Sequence, residues 1–79
     1  MNRNADDFTD FLRTQRAING FSQKLLGQKL GVTQSIIGQW ERNEVTPTMK
    51  NIKKLSDTLN IPAAEIFTLL LKREREKNT

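Results

Sequence analysis

A chain of 79 residues with 13 lysines and arginines against 9 aspartates and glutamates carries a formal charge of +4, and it contains neither cysteine nor histidine. Those absences exclude disulfide staples, thiolate chemistry and zinc sites of the finger type, and the length leaves room for one domain, residues 1–79, without a second sensing or catalytic unit. No apolar run approaches the ~18 residues of a membrane span, and the opening MNRNADDFTD lacks the apolar core of a signal peptide, so the expected setting is cytoplasmic.

Asn4 is the expected cap of a first helix whose opening turn holds Asp6 and Asp7, favourable at the positive end of the helix dipole. Phe8, Phe11, Leu12 and Ile18 supply its buried side, and Gly20 ends it. Ser22 then caps a second helix, with Phe21 before it and Leu26 inside it at the spacing of a hydrophobic staple. Val32, Thr33 and Ile37 repeat the device eleven residues later. Leu26 and Leu30 lie four apart on one helix, Ile37 and Trp40 three apart on the next, and each pair forms an inward stripe. Gly31 follows the last periodic residue of the second helix, where a left-handed residue is needed and glycine tolerates it at least cost. The stretch 22–43, SQKLLGQKLGVTQSIIGQWERN, therefore reads as a helix-turn-helix, with helix three from about Gln34 to Arg42.

Pro47 stops further helical continuation, and Thr48 caps a fourth helix bearing Met49, Ile52, Leu55 and Leu59, which Asn60 closes. Pro62 opens a fifth helix over 62–77, whose mixed-charge last turns are expected to fray. With no strand pattern or repeat, the fold class is all-α: five short helices around one core.

Charge is concentrated where the helix-turn-helix lies. Residues 11–56 hold eight basic side chains against Glu41 and Glu44, a local excess of six, which suits a polyanion. If Ile37 and Trp40 face the core, Ser35, Gly38, Gln39 and Arg42 face away from it, with Gln34 and Ile36 on the flanks. Recognition helices place their N-terminal residues at base edges. The expected readers are thus Gln34, able to bond adenine N6 and N7 together, the less selective Ser35, Ile36 against a thymine methyl, Gly38 as a point of close approach, and Gln39. Ile36 reads equally well as a core residue. Expected phosphate contacts are Gln23 at a helix N-terminus, Lys24, Arg42, Asn43, Thr46, Thr48 and Lys50.

Gln23, Gly31, Thr33-Gln34 and Gln39-Trp40-Glu41-Arg42, together with the proline after helix three and the NIP segment before helix five, give the chain a clear resemblance. It resembles the phage-repressor and Cro-like (xenobiotic-response-element type) helix-turn-helix DNA-binding family over roughly residues 12–67. The resemblance implies a compact five-helix lambda-repressor-like DNA-binding domain. Its members include repressors, plasmid regulators, restriction-modification controllers and antitoxins. It also implies a structural pair between Arg16 of helix one and Glu41 late in helix three, and it marks Gly38 as lacking one side-chain contact common in the family.

Ile66, Phe67, Leu69, Leu70 and Leu71 spread too widely around helix five for a narrow core stripe. Leu69 and Leu71, with Phe67 beside them, are expected at a homodimer contact, which would set two recognition helices about 34 Å apart on a near-palindromic operator. The expected function is sequence-specific binding of double-stranded DNA by a transcription regulator, most simply a repressor or autoregulator. The alternative is an antitoxin-type protein-interaction module with secondary DNA binding. No P-loop, dinucleotide fingerprint, metal cluster or nucleophile set points to an enzyme, a metal, a cofactor or a small-molecule ligand, and Glu74 and Glu76 dilute any membrane-facing charge.

Overall fold

Four oxygen-bearing side chains decide where helices begin. In the computed structural model, which describes residues 6–77, the helices are α1 (Asp7–Ile18), α2 (Gln23–Leu30), α3 (Gln34–Glu41), α4 (Met49–Leu59) and α5 (Ala63–Lys77). Ser22, Thr33 and Thr48 each accept the backbone N–H three residues ahead, from Leu25, Ile36 and Asn51, as their positions predict. At α1 the expectation shifts by two residues. Asn4 lies outside the described residues, and Asp6 is itself the cap: its Oδ1 accepts from Thr9 N at 2.9 Å while Thr9 Oγ1 accepts from Asp6 N at 2.7 Å. Reciprocal bonding of this kind satisfies two orphan donors at once.

The helices stop where the backbone turns left-handed. Gly31 (φ 73°) closes α2, and Asn60 (φ 57°) closes α4, both as expected. After α1, Gly20 N bonds Ala17 C=O and Phe21 N bonds Arg16 C=O, each at 3.0 Å, which pairs two of the last carbonyls of the helix. Asn43 (φ 60°) does the same for α3: its N–H reaches Trp40 C=O and that of Glu44 reaches Gln39 C=O. Among the described residues there is no strand, and no helix is long and apolar enough to cross a membrane.

Phe8, Leu12, Leu26, Leu30, Ile37, Trp40, Ile52, Leu55, Leu59, Ile66 and Leu70 form one buried cluster fed by all five helices. α1 packs against α3 and α5, α2 against α3 and α4, and α4 against α5, so α3 is held from behind by α1 and α2. Two expected core members point outward instead: Ile18 is 70% exposed and Met49 68%. Phe8, Leu12 and Arg16 follow one another at four-residue spacing, so Arg16 takes the inward place on the last turn of α1 and Ile18 is rotated away. Met49 is the first residue of α4, ahead of the stripe Ile52, Leu55 and Leu59.

Gly27 sits where α2 meets the turn. A Cβ there would lie 2.8 Å from Val32 O and 3.2 Å from the Thr33 carbonyl, contacts with backbone that cannot swing aside. Gly27→Val is expected to cost about 2–3 kcal/mol through overpacking, seen as a fall of about 10–20 °C in Tm. A melt within a degree or two of wild type would show that the turn yields more readily than its geometry indicates.

Near its end α5 is docked onto the start of α1, while residues 74–76 beyond that point are exposed. Arg73, only 4% exposed, pairs through Nε and Nη2 with the Asp6 carboxylate, the second bond at 3.2 Å, and its guanidinium lies 5.0 Å from the centre of the Phe8 ring. Beside it Lys72 pairs with Asp7. The acidic cap of α1 thus meets the basic stretch of α5, a pairing that helix periodicity within either segment does not reveal.

Candidate nucleic-acid interface

Ile37 and Trp40 are fully buried and anchor α3 from behind. On its other side Gln34, Ser35 and Arg42 are exposed and Gln39 is half-buried. Ile36 is half-buried and packs against the core cluster, so most of its surface is taken by the protein. These side chains make a polar ridge on a rod eight residues long, about 12 Å at helical rise. A major groove about 12 Å wide admits a helix, whose diameter with side chains is about 10–12 Å.

Glu41, at the last turn of α3, is 2% exposed and fully engaged. Its carboxylate accepts from Arg16 Nε at 2.8 Å, Arg16 Nη2 at 3.1 Å and Gln23 Nε2 at 3.0 Å, while its backbone carbonyl accepts from Arg13 Nη2 at 3.2 Å. Arg16 Nη1 also donates to Phe21 C=O at 3.1 Å. The pair implied by the resemblance is therefore present, as the centre of a cluster that ties α1, the start of α2 and the end of α3. Arg13 and Gln23 were not foreseen in it; their part depends on how α1 and α2 cross α3.

Gln23 was read as a phosphate contact at the start of α2. One of its amide hydrogens is committed to Glu41, and one remains. Lys24, Thr46, Thr48 and Lys50 are exposed, Thr48 with its hydroxyl capping α4. Thr46 Oγ1 lies 3.4 Å from Arg73 Nη1, which links the loop after α3 to α5. Asn43 turns its Oδ1 inward without a hydrogen-bond partner, so its amide nitrogen is the group left to donate. Lys54, not singled out by sequence, donates from Nζ to Leu30 C=O at 3.1 Å, where the negative end of the α2 dipole favours a cation.

Gly38, expected as a point of close approach to DNA, lies under a side chain of its own helix end. The backbone there is buried beneath the chain's own Arg42 guanidinium, whose Nη1 stands 2.8 Å from where a Cβ would be. Arg42 is held in turn by Glu44, Nε to Oε2 at 2.8 Å and Nη2 to Oε1 at 3.3 Å, both side chains half exposed. The Arg42 hydrogen bond keeps Glu44 ionised below the usual glutamate range.

Residues 12–66, spanning α2 and α3 with their flanking helices, match the helix-turn-helix family model. The chain belongs to the helix-turn-helix family. Over 51 residues, 65% of its length, it is 41% identical to the HTH-type transcriptional regulator SutR of Escherichia coli (strain K12), of which it spans only 27%. Over 55 residues, 70% of its length, it is 34% identical to the uncharacterized HTH-type transcriptional regulator YazB of Bacillus subtilis (strain 168), spanning 80% of that protein. Among solved structures it is similar to the restriction-modification controller protein C.AhdI from Aeromonas hydrophila, with a TM-score of 0.68 and 34% identity over 75% of this chain and 86% of that one. Family membership carries DNA-binding transcription regulation as its general role. The phage-repressor and Cro-like resemblance read from Gln23 through Arg42 agrees with these matches.

Proposed function

We propose that the chain is a sequence-specific regulator that binds double-stranded DNA as a homodimer on a near-palindromic operator and represses by occupying promoter DNA. The observation that carries this reading is the division of α3: Ile37, Trp40 and Glu41 are locked inside while Gln34 and Ser35 stand free at its N-terminus. Gln34, Ser35 and Gln39 read base edges. Gln23, Lys24, Asn43, Thr46, Thr48 and Lys50 fix register through phosphates. Backbone contacts of the second kind orient without selecting sequence.

Selection from random duplexes separates the two groups. Gln34→Ala is expected to change the enriched motif, whereas Lys50→Ala weakens binding to all duplexes alike and reduces the slope of log affinity against log salt by about 0.9. An unchanged motif for Gln34→Ala removes that glutamine from base readout.

The dimer reading rests on α5. Leu71 is 61% exposed and stands one turn beyond the half-buried Phe67, an apolar strip on one flank of the helix, with half-buried Leu69 on the other flank. Sedimentation at micromolar concentration is expected to give twice the monomer mass, and Leu71→Glu to return it to the monomer. A wild-type monomer that binds a lone half-site on DNA would contradict the dimer.

A further inference from the structure

Position 38 lies on the outward side of α3, about 130° around the helix from the midpoint of Ile37 and Trp40. A side chain there would project from the middle of the exposed ridge. Glycine supplies none, yet its backbone is buried, because the Arg42 guanidinium folds back one turn and occupies the vacant place. Its Nη1, central carbon and Nη2 stand 2.8, 3.6 and 3.7 Å from the point a Cβ would occupy. Arg42 and Gly38 thus act together as one long, planar, charged side chain set at the centre of the ridge.

Glu44 determines which edge of that plane is offered. A guanidinium carries five N–H groups on distinct edges. The carboxylate takes the Nε/Nη2 edge, leaving both hydrogens on Nη1 and one on Nη2 without a protein acceptor. Two parallel N–H groups on one edge match the O6 and N7 acceptors of guanine in the major groove. The same carboxylate makes the unit close to neutral overall, which weakens its attraction for a phosphate while leaving the donor geometry intact. An exposed pair of this type contributes little stability, so its consequence is orientation.

We propose that Arg42, seated on Gly38 and oriented by Glu44, reads a guanine in each half-site, in place of the phosphate contact its position at the end of α3 suggested. The assignment rests on α3 entering the major groove as proposed above. Gly38 is then required because any Cβ would displace the guanidinium from its seat.

The test compares wild type with Arg42→Lys, Glu44→Gln and Gly38→Ala in random-duplex selection, alongside thermal melts and salt titrations on a duplex of unrelated sequence. Arg42→Lys keeps the charge and loses the fork. It is expected to keep the unrelated-duplex affinity and salt slope, while discrimination for one guanine per half-site falls about 10- to 100-fold. Gly38→Ala is expected to lose the same guanine with the fold intact, and Glu44→Gln to reduce discrimination there while strengthening binding to unrelated DNA. If Arg42→Lys enriches the wild-type motif unchanged, Arg42 is a phosphate anchor and the inference falls alone. If wild type enriches no motif, the major-groove reading fails and takes the inference with it. Should Gly38→Ala retain the guanine, the seat has no part in recognition and the proposed unit is overturned.

Discussion

Glu41→Ala is expected to remove about 3–5 kcal/mol of stability, the typical loss when one partner of a buried charge pair is deleted. The carboxylate is nearly inaccessible and accepts three side-chain hydrogen bonds, from Arg16 twice and Gln23 once, so truncation leaves the Arg16 Nε and Nη2 donors and a Gln23 amide hydrogen without their acceptor, with only the Arg16 Nη1 bond to Phe21 C=O retained. Domains of this size hold only about 4–12 kcal/mol in total, so the loss is a quarter of the stability or more and the melting temperature should fall steeply. Glu44→Ala is the control. That residue is half exposed and paired only with a half-exposed arginine, so its removal should change stability by no more than about 0.5 kcal/mol. Urea unfolding of both variants checks the contrast, and equal losses would show that Glu41 does not hold α3. Replacing Arg16 and Glu41 together by leucine should cost less than the two single changes summed, because much of each single loss is the isolation of the surviving partner.

Arg73→Met should lose about 2–3 kcal/mol, somewhat less than a fully buried pair would because Asp6 retains partial contact with water. The loss depends on pH in a defined direction. Burial alone would raise the Asp6 carboxyl, but the Arg73 and Thr9 hydrogen bonds and the Arg73 charge outweigh it, and its pKa lies below the ordinary 3.8. A group depressed in the folded state contributes its full stabilisation above its unfolded pKa and loses it as pH falls through the folded value. The gap between wild type and Arg73→Met is therefore expected to be constant near neutrality and to narrow as the solution is acidified past the ordinary aspartate range. Melts at a series of acid pH values measure it. A gap independent of pH would mean that Arg73 stabilises through its contacts with Phe8 and Thr46 and not through the Asp6 carboxylate. Thr46, within 3.4 Å of Arg73, also makes the loop after α3 sensitive to the same substitution.

Most of the architecture was legible in the chain because local rules decide it. Ser22, Thr33 and Thr48 cap helices from their own side-chain chemistry, Gly31 and Asn60 end helices because they tolerate a left-handed backbone, and Ile37 with Trp40 points inward by helical period. Each of these needs a partner no more than a few residues away. The exposed side of α3 follows from the same period, which is why Gln34 and Ser35 were found where expected.

Long-range pairing is different in kind. Asp6 meets Arg73 across 67 positions of chain, and Glu41 gathers Arg16 and Gln23 from two other helices. No spacing in the sequence encodes those meetings, since they depend on the angles at which α1, α2 and α5 cross. The fate of Ile18 and Met49 shows the same limit, because an apolar residue at a helix end is buried only if a neighbouring element reaches it. Even the short-range seat of Arg42 on Gly38 required the folded chain. A flexible side chain has many rotamers, and the bed left by the missing Cβ together with the Glu44 carboxylate selected this one.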